Sequence, residues 1–292
     1  MTRAIALCLF LVVGCSTEPQ PSEPQASTPA ASATQFASAT PSDPTPTESL
    51  QRPTGALDVV LRFADYPAMP FPGNALTGPP VFTLYGDGRA IYTTGTEPYD
   101  SQNPLVMRQA QLTDEQVDAL IADALGPGGL AIAASRYDFA PEYSDQPLAT
   151  FELNVGGLSK FVSARALGSL DEPGPAAAVH DALVQLAARL HQFDREVDEG
   201  RASDAGLYEI RAYEATLGTA FHELEPNSEW PWPGEDPPEF DRAPDGNLVT
   251  TMTPVEAAPI LAYPGPFSYI ATGPTGVNYY FDLRPLLPDQ VE

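Results

Sequence analysis

Residues 16–54 constrain the fold most strongly, because their composition keeps them from joining a packed core. Of these 39 residues, 28 are Ser, Thr, Pro or Ala, and only Phe36 and Leu50 are large and apolar. Such a segment cannot bury enough apolar surface to offset the conformational entropy that ordering would cost. We therefore predict a tether at 15–54, which as a flexible coil would span on the order of 35 Å. A single acidic globular domain is predicted at 55–292.

Cysteine content and charge exclude several classes of function. The two cysteines are Cys8 and Cys15, so the predicted domain has no disulfide, no thiolate metal site and no cysteine nucleophile. The chain has 14 Lys+Arg against 39 Asp+Glu, a formal net charge of −25. A surface this acidic repels phosphate backbones, so binding of nucleic acid through counterion release is excluded. The same charge argues against docking on anionic lipid through a basic patch.

The N-terminus has the pattern of an export signal. Arg3 precedes an apolar stretch at 4–13, which is too short to span a bilayer and is typical of a secretory signal peptide. The run Val12-Val13-Gly14-Cys15 resembles the lipobox of bacterial lipoproteins. The resemblance implies a signal peptide at 1–14, cleavage before Cys15 and lipidation of Cys15. The protein would then be held on the extracytoplasmic face of the cell membrane by its acyl chains.

Two β-hairpins are predicted in the domain, after a first strand at 57–63. The first spans 81–93 and turns at Asp87-Gly88, a dipeptide typical of two-residue loops. This loop would pair Leu84 with Ile91. The second hairpin spans 149–164.

The second hairpin turns around Gly156-Gly157, and its register is not fixed by the sequence. A three-residue loop would place Glu152 opposite Lys160 and Phe151 opposite Phe161, pairing charge with charge and ring with ring.

Helical periodicity appears twice between and after the hairpins. Thr113 and Gln116 form the pattern of a capping box, and an apolar face follows at Val117, Leu120, Ile121 and Ala124. A second helix is predicted at about 175–197 from an apolar stripe of Val179, Leu183, Leu186, Leu190, Phe193 and Val197.

Further strands are predicted at 207–217 and 277–284. The order of elements indicates an α+β fold, an antiparallel sheet built from hairpins with two helices packed on it.

Two short segments resemble those of a known group of proteins. Residues 82–89 (Phe-Thr-Leu-Tyr-Gly-Asp-Gly-Arg) and 283–289 (Leu-Arg-Pro-Leu-Leu-Pro-Asp) are similar to segments of secreted lipoproteins from GC-rich bacteria, of actinobacterial type. That group carries no known activity. The resemblance therefore implies a location and a fold, and implies nothing about chemistry.

Catalytic motifs are not found in the sequence. His222-Glu223 lacks a second histidine four positions after the first, because position 226 is Pro226, and a proline breaks the helix that a zinc protease needs. The lipase-type nucleophile elbow and the glycine-rich phosphate loops are missing as well. His180 and His191 are interpreted as residues at the edge of the core. We assign no catalytic residue and no metal ligand.

The segment 221–247 holds both tryptophans, Trp230 and Trp232, together with eight acidic residues. Exposed tryptophans would bind a glycan or a partner chain, because their large rigid rings supply contact area at low entropic cost. Alternatively, both rings fill a gap at the edge of the sheet. The carboxylates would also suit Ca²⁺, although they do not match the ligand spacing of a helix-loop-helix site.

Three hypotheses of function follow from these observations. The first is a lipid-anchored cell-envelope protein that presents a non-catalytic binding or scaffold domain to wall polymer or to an envelope protein. The second is a calcium-dependent binding module that uses the acidic tryptophan-containing segment. The third is an extracellular hydrolase of unrecognised type.

Overall fold

The computed structural model describes residues 51–66, 78–94, 106–143, 146–168, 176–219, 230, 241–242, 248–261, 268–273 and 276–291. All of them belong to one compact unit, Glu48–Glu292. The predicted signal peptide, Cys15 and nearly all of the tether lie outside the described residues. The fold is α+β, with 13 strands in two sheets and four α-helices among the described residues.

The larger sheet, sheet A, has eight strands. In spatial order they are β5 (Arg136–Asp138), β7 (Leu158–Arg165), β6 (Leu148–Val155), β1 (Val59–Tyr66), β2 (Phe82–Tyr85), β3 (Arg89–Thr94), β4 (Val106–Gln111) and β8 (Ser203–Leu207). The prediction of a purely antiparallel sheet is wrong, because β5 pairs in parallel with β7. The first predicted strand is confirmed with shifted bounds, as β1.

The β2–β3 hairpin has a three-residue loop, so its predicted register is wrong by one residue. Leu84 pairs with Ala90, and the amide of Gly88, which has φ +82°, donates to the carbonyl of Tyr85 at 3.0 Å. A turn followed by a left-handed glycine is the usual geometry of such a loop. This one-residue difference in register places Ile91 on the opposite face of the sheet from Leu84, since side chains alternate along a strand.

The β6–β7 hairpin has the two-residue loop that had been predicted for the first hairpin. Gly156 and Gly157 both have positive φ, 56° and 76°, which is the conformation of a tight hairpin turn. Glu152 therefore lies opposite Phe161, and the charge pairing of the three-residue alternative does not form.

Helices and strands of sheet A share one core. Helix α1 (Asp114–Leu125) has the predicted capping box, and its four predicted apolar residues are buried. The second predicted helix is broken at Gln192 into α2 (Ala177–His191) and α3 (Phe193–Asp198). Side chains of all three helices pack in one buried cluster with the strands.

The smaller sheet, sheet B, was not predicted as a separate sheet. Its spatial order is β10 (Asp241–Arg242), β11 (Leu248–Met252), β9 (Tyr213–Thr219), β13 (Asn278–Pro285) and β12 (Ser268–Thr272), and α4 (Pro254–Leu261) packs against it. The predicted strand at 207–217 is divided between β8 and β9. The predicted strand at 277–284 is confirmed as β13.

The chain segments next to β9 and β13 connect the two sheets. Tyr208 and Leu287 pack with Tyr85, Ile91 and Met107 on the face of sheet A opposite the helices. Leu287 directly precedes a short 3-10 helix, Pro288–Gln290. The slipped register of the first hairpin is what gives Ile91 this contact.

Candidate functional site

Trp230 lies against the core of sheet B. Its ring is partly buried and packs on the sheet B cluster, with its centroid 5.3 Å from that of Tyr279. Trp232 and most of the acidic segment lie outside the described residues. Partner binding by the two tryptophans therefore stays a prediction, with part of the Trp230 ring already used in packing.

Among the described residues, no group of three or more His, Cys, Asp or Glu side chains is arranged to hold a metal ion. The carboxylates that suggested Ca²⁺ lie in the segment outside those residues, so the calcium alternative stays a prediction.

A groove between α1 and the turn after α3 is a concave candidate in the described part of the chain. Its volume is about 240 Å³. Leu120 and Phe193 contribute apolar walls, and Arg189, Glu196 and Arg201 contribute charge. The volume is below the roughly 300–1,000 Å³ of pockets that enclose a drug-sized ligand.

The charged side chains of the groove form ion pairs with one another. Glu196 is only 6% exposed and accepts hydrogen bonds from both arginines, with Arg189 at 3.0 and 3.1 Å and Arg201 at 2.6 and 2.9 Å. Arg189 also donates to Asp123 of α1 at 2.6 Å. We call Asp123, Arg189, Glu196 and Arg201 the Glu196 latch. It ties α3 to α2 across the break at Gln192, and ties both to α1.

The electrostatics of the Glu196 latch favour a structural role over a catalytic one. Burial alone would raise the pKa of Glu196, but the hydrogen bonds from Arg201 and Arg189 outweigh it and lower the pKa to about 2. A carboxylate that stays ionised at neutral pH cannot act as a general acid there. Its lone pairs are occupied by guanidinium groups, which also limits it as a base.

A second polar cluster joins the first hairpin of sheet A to the 3-10 helix that follows β13. The hydroxyl of Tyr85, in β2, donates to Asp289 of the 3-10 helix at 2.6 Å. Arg62 of β1 donates to the other oxygen of Asp289, also at 2.6 Å. Burial and the hydrogen bond to Asp289 raise the pKa of Tyr85 far above its usual value of 10, so the hydroxyl remains a neutral donor. We call Arg62, Tyr85 and Asp289 the Asp289 cluster. Its hydrogen bonds attach the 3-10 helix to sheet A.

The two histidines of α2 lie at the edge of the core, as interpreted from the sequence. His180 is 5% exposed, accepts a hydrogen bond from the amide of Gly168 at 3.3 Å and contacts Phe139 edge-on. His191 approaches Asp65 at 3.0 Å. Each ring has a packing partner and a polar partner of its own, and the two do not form one site.

Sequence reasoning missed the latch and the Asp289 cluster. Glu196 occupies an ordinary position beside an apolar stripe, and only the fold brings Arg201 and Arg189 to it. Asp289 and its partner Tyr85 are 204 positions apart in the sequence. No local signal in the sequence identifies either pairing.

A comparison of the chain with protein-family models, with curated proteins and with solved structures finds no match in any of the three. Of the helices in the described residues, none is both long enough and apolar enough to cross a membrane.

Proposed function

We propose that the protein is a lipid-anchored component of the cell envelope that presents a binding or scaffold domain outside the membrane. The observation that carries the proposal is the run Val12-Val13-Gly14-Cys15, which lies at the end of a short apolar stretch and directly before the tether. Cys15 would carry the lipid, and acyl chains supply membrane affinity in proportion to the methylene groups that they bury.

The described domain supports a non-catalytic role. Its best-formed charge clusters, the Glu196 latch and the Asp289 cluster, serve to join helices to helices and the C-terminus to sheet A. Wall polymer or another envelope protein is the partner class we propose, with Trp230 and Trp232 as the contact residues.

Substitution of Cys15 tests the anchor, and the chain offers a matched control in its other cysteine. Cells that express Cys15→Ser should no longer incorporate a palmitate analogue into the protein and should lose it from the membrane fraction. Cys8 lies within the predicted signal peptide, so the Cys8→Ser protein should be labelled and retained in the membrane fraction like the wild type. Membrane retention of Cys15→Ser at the wild-type level would contradict the proposal.

Binding to wall polymer has a separate test. The purified protein should sediment with insoluble cell-wall material, and Trp230→Ala combined with Trp232→Ala should reduce the bound fraction. Tyr143→Ala, which removes another exposed aromatic ring, is the control and should bind like the wild type. Equal binding by the wild type, the double tryptophan variant and Tyr143→Ala would show that the two tryptophans are not contact residues.

A further inference from the structure

The last residues of the tether are bound to the domain at one end of sheet A. The carbonyl of Gln51 accepts a hydrogen bond from the amide of Gly156, in the β6–β7 turn. Arg52 Nη1 donates to the carbonyl of Gly86, in the β2–β3 loop, at 2.6 Å. Two hairpin loops that are far apart in the sequence therefore hold two consecutive residues of the tether.

Helix α1 adds a third attachment through the same arginine. Arg52 Nη2 lies 2.5 Å from Asp114 Oδ1, and its Nε lies 3.5 Å from Asp118 Oδ1. The Arg52 side chain is only 7% exposed, whereas that of Asp114 is 94% exposed. An ion pair with so exposed a partner contributes little, so the attachment rests mainly on the Gly86 carbonyl, Asp118 and the burial of Arg52.

The backbone also approaches the first hairpin closely. A Cβ atom at position 86 would lie 2.6 Å from the carbonyl oxygen of Pro53 and 2.8 Å from the carbonyl carbon of Thr54. Only glycine permits this distance. The chain then turns at Gly55, whose amide donates to Asp58 at 2.9 Å, and enters β1.

We propose that these contacts form a clasp that fixes the point at which the tether leaves the domain. The clasp consists of residues 51–54 together with Gly86, Gly156, Asp114 and Asp118. Strand β1 pairs with both β2 and β6 in the interior of sheet A, so a chain peeling away from its start would open the main core. The clasp stops such peeling at Gln51, whether a protease trims the tether or the tether is pulled.

One part of the proposal rests on the proposed function: that the clasp is the point at which a membrane anchor would exert force on the domain. The contacts themselves require no lipid. The test therefore uses the purified full chain in both the wild-type and the Cys15→Ser background, so that failure of the anchor leaves the result on the clasp unchanged.

Digestion by proteinase K, followed by intact-mass measurement, reads the position of the clasp directly. In the wild type, trimming from the N-terminus should stop between residues 48 and 51. In Arg52→Ala, under the same digestion conditions, it should continue to residues 55–58. That product should form about tenfold faster than from the wild type, because cleavage follows the population of the locally open chain. Gly86→Ala should shift the boundary in the same direction.

Two further variants keep the test decisive. Arg136→Ala removes an exposed arginine of β5 and should give the wild-type boundary. Arg52→Lys keeps the charge but loses the planar fork, and should give an intermediate rate. Retention of the wild-type boundary in Arg52→Ala and Gly86→Ala would overturn the proposal, as would trimming of the wild type beyond Thr54 as fast as in Arg52→Ala.

Discussion

In sheet A, three helices pack on one face, and the core cluster contains 31 buried apolar residues among those described. In sheet B, α4 packs on the sheet, and the corresponding described cluster contains eight. Apolar burial is the main favourable contribution to folding and scales with the area removed from water. Among the described residues, sheet A therefore buries the larger apolar core, and we expect it to contribute most of the stability.

The attachment of sheet B is concentrated in a few contacts. Tyr208 and Leu287 fill the apolar cluster on the open face of sheet A, and Asp289 binds Tyr85 and Arg62 beside it. We therefore expect sheet A to form the main folding core, and sheet B to depend on the segments that flank β9 and β13.

The largest effect is expected from substitutions within the two cores. Phe151→Ala removes a ring that stacks on Phe63 at 4.9 Å, and should lower the free energy of unfolding by about 3–5 kcal/mol. The loss should appear equally in far-ultraviolet circular dichroism and in tryptophan fluorescence, since we expect sheet B to unfold together with sheet A.

Leu217→Ala is the matched substitution in sheet B, where Leu217 is 1% exposed. It should lower the stability by about 2–4 kcal/mol as read by tryptophan fluorescence, because Trp230 packs on that core. Circular dichroism should show a smaller first transition followed by unfolding of sheet A. A single coincident transition in this variant would contradict the proposed difference between the sheets.

The next largest effect is expected at the Glu196 latch, which joins the three helices that pack on sheet A. Glu196→Gln should cost about 2–3 kcal/mol, since it leaves two guanidinium groups without their buried counter-charge. Glu199→Gln, with a half-exposed side chain, is the control and should cost less than about 0.5 kcal/mol.

The latch also has a pH signature. The pKa of Glu196 is about 2 in the folded protein against a usual 4.5, so the unfolded chain binds this proton first as the pH falls. Its contribution should be complete above about pH 4.5 and lost between pH 4.5 and 2. The difference in stability between wild type and Glu196→Gln should shrink across that window, and a constant difference would contradict the assignment.

A smaller effect is expected at the joint between the sheets. Asp289→Asn keeps the shape of the side chain but removes the ion pair with Arg62, in which the two side chains are 15% and 18% exposed. We expect a loss of about 1–2 kcal/mol that appears first in tryptophan fluorescence. Asp204→Asn removes a more exposed pair with Arg108 and should leave the stability close to that of the wild type.

The smallest effect is expected from calcium. At matched ionic strength, micromolar Ca²⁺ should leave the fluorescence-detected Tm unchanged, because any salt screens a chain of charge −25 to a similar degree. A shift of several degrees that Mg²⁺ does not reproduce would favour the calcium-dependent alternative and would make sheet B the part of the molecule that a ligand stabilises.

Features of the fold that depend on neighbours in the sequence could be predicted. The capping box of Thr113 and Gln116 forms as expected, because both of its hydrogen bonds lie within four consecutive residues. The apolar faces of α1 and α2 follow from periodicity in the same way. Strands β1 and β13 were also recognisable from their dense apolar composition.

Features that depend on distant residues could not be predicted. The Asp87-Gly88 dipeptide suggested a two-residue loop, yet the observed register places Ile91 against Leu287, almost 200 positions later. Sheet B contains short strands, such as β11, in which Met252 is the single buried residue and follows an exposed Thr251. Within the candidate site, the apolar or charged character of each residue was visible, but the pairing of Glu196 with Arg189 and Arg201 was not.

The mass of the mature N-terminal peptide tests the central claim, a lipid anchor on Cys15, most directly. Protein extracted from membranes should begin at Cys15, and its first peptide should be heavier by a thioether-linked diacylglyceryl group. A mature chain that begins at another residue, or an unmodified Cys15 in the membrane-bound protein, would contradict the account.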